Sequence, residues 1–183
     1  MGGEPLWALV DLVAPPDTQV EWAEAVYCGA ARLASRFNLA IIGGDTTGGP
    51  VRELHVFGVG RVPAGTAVLR SGARPGDVLY VTGFLGGSLA GRHLSFEPRV
   101  AEGAWLRERR WATAMMDISD GLSSELMHIC KQSNCGCRIY EKNIPIDYQT
   151  AVMAEELNMN VTTCALNGGE DYELLFTVPI GDH

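Results

Sequence analysis

Residues Met116-Asp117-Ile118-Ser119-Asp120-Gly121-Leu122 join an apolar run to an amphipathic one, and this change of pattern predicts a strand that turns into a helix. The stretch also sets two carboxylates three residues apart with a hydroxyl between them. Ser119 or Asp120 would suit an ordinary helix N-cap. That reading leaves Asp117 at the end of an apolar strand, where a buried carboxylate needs a partner such as a cation shared with phosphate. The residues alone leave both interpretations open.

Two more acidic clusters beside glycines stand upstream and downstream, Gly43-Gly44-Asp45-Thr46 and Gly168-Gly169-Glu170-Asp171-Tyr172-Glu173. Glycine lets the backbone approach a ligand closely, and exposed N–H groups can hold phosphate oxygens. Magnesium takes oxygen ligands from carboxylates and phosphates, and phosphoryl transfer depends on that neutralisation of charge. An ordinary tight turn would also explain Asp45. The clusters favour a divalent metal and a ligand that carries phosphate.

The composition is that of a globular protein, with 46% apolar and 20% charged residues among 183. The net charge of −8 argues against a nucleic-acid partner, which needs a basic surface. No apolar run approaches the ~18 residues of a membrane span, and no secretory signal is visible. Five cysteines without zinc spacing are typical of reduced thiols in the cytoplasm. The histidines have no metal-ligand spacing: His55, His93, His128 and His183.

Apolar periodicity predicts an α/β (α+β) protein. We expect a helix over 20–37, capped by Asp17 or Thr18, with Trp22 and Tyr27 in the core. A turn near Gly83 leads into a helix near 87–90, and Arg107, Arg109 and Arg110 are expected on a solvated face. The other predicted helices cover 98–112, 120–133 and 150–158, and the predicted strands cover 6–13, 39–42, 53–62, 78–82, 112–116, 136–141 and 172–178.

Turn-forming residues crowd the region from Pro63 to Asp77, which predicts a boundary between two domains. We place a first domain at 1–64, a linker at 65–77 and a second domain at 78–183. The glycines of 83–88 resemble a phosphate-binding loop only loosely, because the Lys of a Walker A motif is missing. Arg70 is a lone basic residue of the linker whose forked guanidinium suits phosphate.

Taken together, the motifs resemble those of thiamine-monophosphate kinases in order and spacing over nearly the whole chain. The most specific are Asp-Ile-Ser-Asp-Gly-Leu at 117–122 and Gly-Glu-Asp-Tyr-Glu-Leu at 169–174. Gly43-Gly44-Asp45-Thr46 and the stretch from Arg70 to Asp77 match as well. Relatives in the wider superfamily usually have glycine-rich or Thr-containing sequence where Asp120 stands, so this second acid favours the thiamine enzyme.

The resemblance implies a two-domain fold like that of aminoimidazole ribonucleotide synthetase, here a partial N-terminal domain and most of a C-terminal one, with ATP bound between the domains. It implies phosphorylation of thiamine monophosphate to thiamine diphosphate, with ATP as co-substrate and Mg²⁺ as cofactor. It also implies a homodimer for the full-length protein. The residue roles it implies are metal ligation by Asp45, Asp117 and Asp120, ATP contacts by Tyr27, Gly44, Asp45, Arg70 and Ser119, and a thiamine-side contact by Glu170.

Compared with that family the chain is short at both ends, so we expect a fragment that transfers phosphate poorly by itself and tends to associate through the 54–62 strand. Two alternatives stay open. One is another ATP-using member of the superfamily, of the selenophosphate synthetase or hydrogenase-maturation type. The other is a non-catalytic module that binds nucleotide or dimerises.

Overall fold

The computed structural model describes residues 1–181, except the side chain of Leu89; Asp182 and His183 lie outside the described residues. The chain divides into two compact units. The N-terminal unit is Gly3–Pro63, and the C-terminal unit combines Met1–Gly2 with the chain from Ala64 onward. Residues 65–77, predicted as a linker, belong to the C-terminal unit and contain no helix or strand. None of the described helices has the length and apolar character needed to traverse a bilayer.

In the N-terminal unit β1 is the central strand of the sheet. Its first half pairs in parallel with β2 and its second half with β3, while β4 runs antiparallel to it along its length. Alternate β1 residues therefore face opposite sides of the sheet: Val10 and Leu12 are buried, whereas Trp7 and Leu9 are exposed. The elements are β1 (Glu4–Ala14), α1 (Val20–Arg36), β2 (Ala40–Gly43), β3 (Thr46–Gly48) and β4 (Glu53–Arg61).

The predicted first helix is confirmed, and Asn38, with φ +53°, follows its end. Its predicted cap is wrong, because Gln19 occupies the N-cap position without a side-chain hydrogen bond. Trp22 and Tyr27 were expected in the core but are only half-buried. The Trp22 ring instead lies under the guanidinium of Arg52, 4.4 Å from its centroid.

The C-terminal unit has helices on both faces of an antiparallel sheet in the order β5-β7-β6. On one face Met115 packs with Leu106 of α2; on the other Met116 packs with Leu122 and Leu126 of α3. The unit comprises β5 (Val78–Val81), α2 (Val100–Arg109), β6 (Ala114–Asp117), α3 (Leu122–Ser133), α4 (Tyr148–Glu156), α5 (Val161–Asn167) and β7 (Leu174–Val178).

Several predicted elements differ from the structure. The strand at 136–141 is wrong: the residues before the 3₁₀ turn Glu141–Asn143 are exposed and pair with no strand in the described chain. The helix near 87–90 is a single 3₁₀ turn, since Gly86 and Gly91 on either side are left-handed. The helix α5 was not predicted, although Asn160 caps it through the N–H of Thr163.

The basic cluster at the end of α2 is not a uniformly solvated face. Arg109 and Arg110 are exposed, but Arg107 is buried. The backbone of Gly2 lies so close to Arg107 that a Cβ on Gly2 would be 2.8 Å from the arginine Cβ. The buried guanidinium bonds Glu108 at 2.8 Å through Nη2.

Candidate functional site

The turn between β2 and β3 requires a glycine at its centre. Gly44 has φ +151°, and a Cβ there would lie 1.8 Å from the carbonyl oxygen of Val10. The carbonyl of Asp45 accepts the N–H of Leu12 at 2.8 Å. The backbone of this turn is therefore fixed against the middle of β1.

Asp45 has a second carboxylate beside it that our sequence reasoning missed. Its N–H donates to Oδ1 of Asp11 at 2.9 Å, and its own Oδ1 accepts the N–H of Thr46 at 2.8 Å. Asp45 remains exposed. The sequence did contain a clue to Asp11, because it is the acid within the apolar run 6–13. The backbone of Asp45 thus lies against the carboxylate of Asp11 on the central strand.

Tyr27, a predicted ATP contact, lies near the same part of β1. Its hydroxyl donates to the carbonyl of Val10 at 3.4 Å, the oxygen that Gly44 also approaches. The structure therefore brings three predicted residues of this unit, Tyr27, Gly44 and Asp45, to neighbouring positions along β1.

In the C-terminal unit the turn from β6 to α3 carries Asp117, Ser119 and Asp120. The N-cap of α3 is Gly121, with φ +112° and no side-chain cap. The interpretation of Ser119 or Asp120 as an ordinary N-cap is therefore wrong. A Cβ on Gly121 would lie 2.7 Å from the carbonyl of Leu166, so the turn packs closely against the end of α5.

The carboxylates of Asp117 and Asp120 are available to a ligand. Asp117 is half-buried and Asp120 is exposed, and within residues 1–181 no hydrogen bond or ion pair engages either carboxylate. The N–H of Asp120 donates to Oε1 of the buried Glu125 at 3.2 Å, which fixes the turn. Unpaired carboxylate oxygens are the donor set that a hard cation such as Mg²⁺ takes.

The described residues hold no group of three or more His, Cys, Asp or Glu side chains arranged to bind a metal. Asp45 belongs to the N-terminal unit, and Asp117 and Asp120 belong to the C-terminal unit. A metal site that uses all three acids stays a prediction.

The 117–121 and 168–173 motifs interlock through their main chains. The N–H of Glu170 donates to the carbonyl of Ser119 at 2.7 Å, and the N–H of Tyr172 donates to the carbonyl of Ile118 at 2.8 Å. A Cβ on Gly169 would lie 2.7 Å from the same Ser119 oxygen. The structure therefore brings Glu170, whose side chain is exposed, directly beside Ser119.

The buried Glu173 of the same motif belongs to an ion cluster that the sequence did not reveal. Glu173 accepts hydrogen bonds from Nε of Arg99 at 2.8 Å, from the Thr82 hydroxyl at 2.5 Å, and from Arg92. Burial by itself would raise the pKa of Glu173. The hydrogen bonds from Arg99 and Thr82 and the positive charges of Arg99 and Arg92 outweigh burial, so the pKa lies below its ordinary value.

Arg70 is the second predicted ATP contact in the C-terminal unit, and no hydrogen bond among the described residues links it to Ser119. Its carbonyl accepts the hydroxyl of Ser133 at 3.2 Å, which fixes the backbone near the end of α3. Its side chain is exposed and makes no ion pair with any described residue.

The chain is similar to known proteins over nearly its whole length. Residues 1–62 match the protein-family model described as AIR synthase related protein, N-terminal domain. The thiamine-monophosphate kinase of Salmonella typhimurium is 39% identical in an alignment 201 positions long, which covers 98% of this chain and 60% of that protein. The chain thus spans about 60% of the length of the curated relatives it matches first.

Two solved structures share this fold at 32% identity. The crystal structure of thiamine monophosphate kinase from Aquifex aeolicus superposes with a TM-score of 0.88, over 98% of this chain and 67% of that one. A structure described as AaThiL complexed with AMPPCP and TMP gives a TM-score of 0.86, over 100% of this chain and 64% of that one. The expected fold, like that of aminoimidazole ribonucleotide synthetase, is confirmed.

Proposed function

The chain belongs to the thiamine-monophosphate kinase family, and we propose from that premise that it catalyses ATP-dependent phosphorylation of thiamine monophosphate to thiamine diphosphate. The observation that carries this proposal is the hydrogen bond between the N–H of Glu170 and the carbonyl of Ser119. It joins a predicted thiamine-side contact to a predicted ATP contact. A similar structure, AaThiL, is complexed with AMPPCP and TMP, which supports ATP and thiamine monophosphate as the ligands of this chain.

The reaction is a direct transfer of the terminal phosphoryl group of ATP: the bond from its phosphorus to the bridging oxygen breaks, ADP leaves with that oxygen, and a phosphate oxygen of thiamine monophosphate bonds to the phosphorus. That acceptor is already anionic, so no side chain is assigned as a general base. The task of the protein is to hold donor and acceptor in line. Ser119 and Arg70 would contact ATP, as would Tyr27 and Gly44 in the N-terminal unit, while Glu170 would contact the thiamine side.

Mg²⁺ would be held by Asp45, Asp117 and Asp120, with Asp11 beside Asp45. The free carboxylate oxygens of Asp117 and Asp120 support this assignment. The half-buried Asp117 needs a partner, and the exposed Asp120 is accessible to the same ion. The bound metal would supply neutralisation of the triphosphate charge.

The homodimer is a further proposal, and the open face of the N-terminal sheet supports it. Neighbouring strands expose large apolar side chains on this face, where Trp7 pairs with Val59 and Leu9 pairs with Phe57. Exposed apolar patches of this kind mark protein interfaces. We propose that a second copy of the chain covers this apolar face. We also propose that the enzyme works in the cytoplasm.

The test is formation of thiamine diphosphate from thiamine monophosphate, ATP and Mg²⁺, followed by chromatography of the thiamine products. We expect slow formation of product, which depends on Mg²⁺ and is lost in Asp117→Asn and Asp120→Asn. The exposed Glu156 offers a control, since Glu156→Gln removes one negative charge elsewhere in the same unit.

Assays with other substrates and a measurement of nucleotide binding separate the alternatives. Turnover of selenide or of a ribotide in place of thiamine monophosphate would assign the chain to another branch of the superfamily. Nucleotide binding that is indifferent to both Asp→Asn changes, without any product, would identify a non-catalytic module. Either result would overturn the proposal.

A further inference from the structure

Asp171 is a buried carboxylate to which the proposed chemistry gives no role. It is 2% exposed, and its Oδ1 accepts the N–H of Gly86 at 2.8 Å. Its Oδ2 is buried and has no hydrogen-bond partner among the described residues. A carboxylate in this position needs a structural or functional reason, because burial without full pairing is unfavourable.

The partner of Asp171 is the glycine loop 83–88, whose N–H groups would suit a phosphate. The N–H of Gly86 donates to Oδ1 of Asp171, and the nearby N–H of Gly87 also favours the charged carboxylate. A side chain of the protein itself therefore lies against this loop. The loop is packed tightly: a Cβ on Gly86 would lie 3.0 Å from the backbone nitrogen of Ala165, and one on Gly83 would lie 2.4 Å from Oε1 of Glu173. The close packing therefore holds the loop in place, so it can fix the position of Asp171.

The segment that carries Asp171 is strained on both sides of it. Glu170 has φ +54° and Tyr172 has φ +52°, a left-handed conformation that non-glycine residues rarely adopt. Such strain persists only where surrounding contacts hold it. The main chains of Glu170 and Tyr172 are held by Ser119 and Ile118, and the residue between them is held through its side chain by Gly86.

We propose that Asp171 is a positioning residue, which ties the strained segment to the 83–88 loop and thereby places the Glu170 side chain for the thiamine end of the substrate. The proposal rests on the proposed function for its substrate. Asp171 is buried, so it acts through its neighbour and contacts no ligand itself.

The test uses the full chain with Asp171→Ala, which removes the acceptor, and Asp171→Asn, which keeps an oxygen for the Gly86 N–H. Hydrogen exchange is measured for segments 83–88 and 168–173, and calorimetry measures binding of thiamine monophosphate and of a non-hydrolysable ATP analogue with Mg²⁺. Asp171→Ser replaces the alanine variant if that variant does not fold, because serine is too short to reach Gly86. Exposed Glu155→Ala is the control.

We expect Asp171→Ala to speed exchange in both segments and to weaken thiamine monophosphate binding by about tenfold or more. Binding of the nucleotide should change by less than about twofold, and Asp171→Asn should restore the wild-type values. Unchanged exchange at 168–173, an equal loss of both ligands, or failure of the asparagine variant to restore binding would each overturn the proposal.

The two proposals fail in distinguishable ways. A wild-type chain that binds no thiamine monophosphate contradicts the proposed function and, with it, the substrate role of Asp171. Exchange at 168–173 in the alanine variant still decides whether Asp171 holds the segment.

Discussion

Glu170 donates its main-chain N–H to the carbonyl of Ser119 at 2.7 Å. This bond joins the two motifs that are most specific in the sequence. Gly169 makes the approach possible, because any side chain there would meet the Ser119 oxygen. The local consequences of this contact can be measured without knowledge of the substrate.

Gly169→Ala should disrupt the contact. Gly169 has φ +67°, and the new Cβ would lie 2.7 Å from the Ser119 carbonyl and 3.2 Å from the Asp120 carbonyl carbon. We expect the free energy of unfolding in urea to fall by about 1–3 kcal/mol. Gly136→Ala is the control, because a Cβ there meets nothing within 4 Å. Equal stability of the two variants would show that the motifs are not tightly packed.

Asp171 should make the stability of the protein depend on pH. Burial, reinforced by the charge of Glu173 and opposed by the Gly86 and Gly87 N–H groups and by Arg92, raises its pKa from 3.8 to about 6. The folded state then binds more protons than the unfolded state between these values, so this carboxyl's contribution is greatest in acid and falls as pH rises through about 6. At ~1.4 kcal/mol per pKa unit the loss is on the order of 3 kcal/mol.

The measurement is urea unfolding of wild type and Asp171→Asn between pH 4 and pH 7.5. Asparagine does not ionise, so the stability of the variant relative to wild type should increase with pH over this range. A constant difference between the two proteins would contradict a raised pKa at this site.

Glu173 should act in the opposite direction. Its pKa is lowered, so its contribution is present above its unfolded pKa and is lost as pH falls through the folded value. Glu173→Gln leaves the partly buried Arg92 and Arg99 without their carboxylate, and we expect a loss of about 3–5 kcal/mol at neutral pH. Glu156→Gln, which removes an exposed charge, should change stability by less than about 0.5 kcal/mol. Equal melting temperatures for the two variants would show that the ion cluster does not stabilise the fold.

The open face of the N-terminal sheet should mediate association. Phe57 is 57% exposed beside Leu9, so Phe57→Arg would place a charge in the proposed interface. We expect light scattering after size-exclusion chromatography to show a dimer for wild type and a monomer for this variant. Leu94→Arg, on the other unit, should remain dimeric. A wild-type protein that stays monomeric at micromolar concentration would exclude this interface.

Local patterns predicted the elements that frame the site. The helical spacing of residues 20–37 and the strand-turn-helix pattern at 116–122 both correspond to elements of the structure. The 136–141 segment was mistaken for a strand. A sequence pattern can suit an extended backbone, but a strand also needs a neighbouring strand to pair with, and this segment has none in the described chain. The three-residue β3 was missed because it depends on its pairing with the end of β1.

The environments of the charged residues could not be predicted from neighbouring sequence. Glu173 looks like one more acid in a motif, and its burial depends on Arg92 and Arg99, which are distant in sequence. The sequence suggests that Arg107 lies at a solvated helix end, but in the structure Gly2 packs against it. Asp11 could have been suspected, since an acid within an apolar strand is unusual.

The central claim is that Asp45, Asp117 and Asp120 hold a nucleotide through Mg²⁺. The most direct measurement is calorimetric binding of a non-hydrolysable ATP analogue, with Mg²⁺ and then with EDTA, to wild type and to the three Asp→Asn variants, with exposed Asp17→Asn as control. We predict binding that requires Mg²⁺ and that weakens by about tenfold or more, or ~1.4 kcal/mol, in each of the three variants but not in the control. Wild-type affinity in EDTA, or an Asp45→Asn variant that binds like wild type, would contradict the claim.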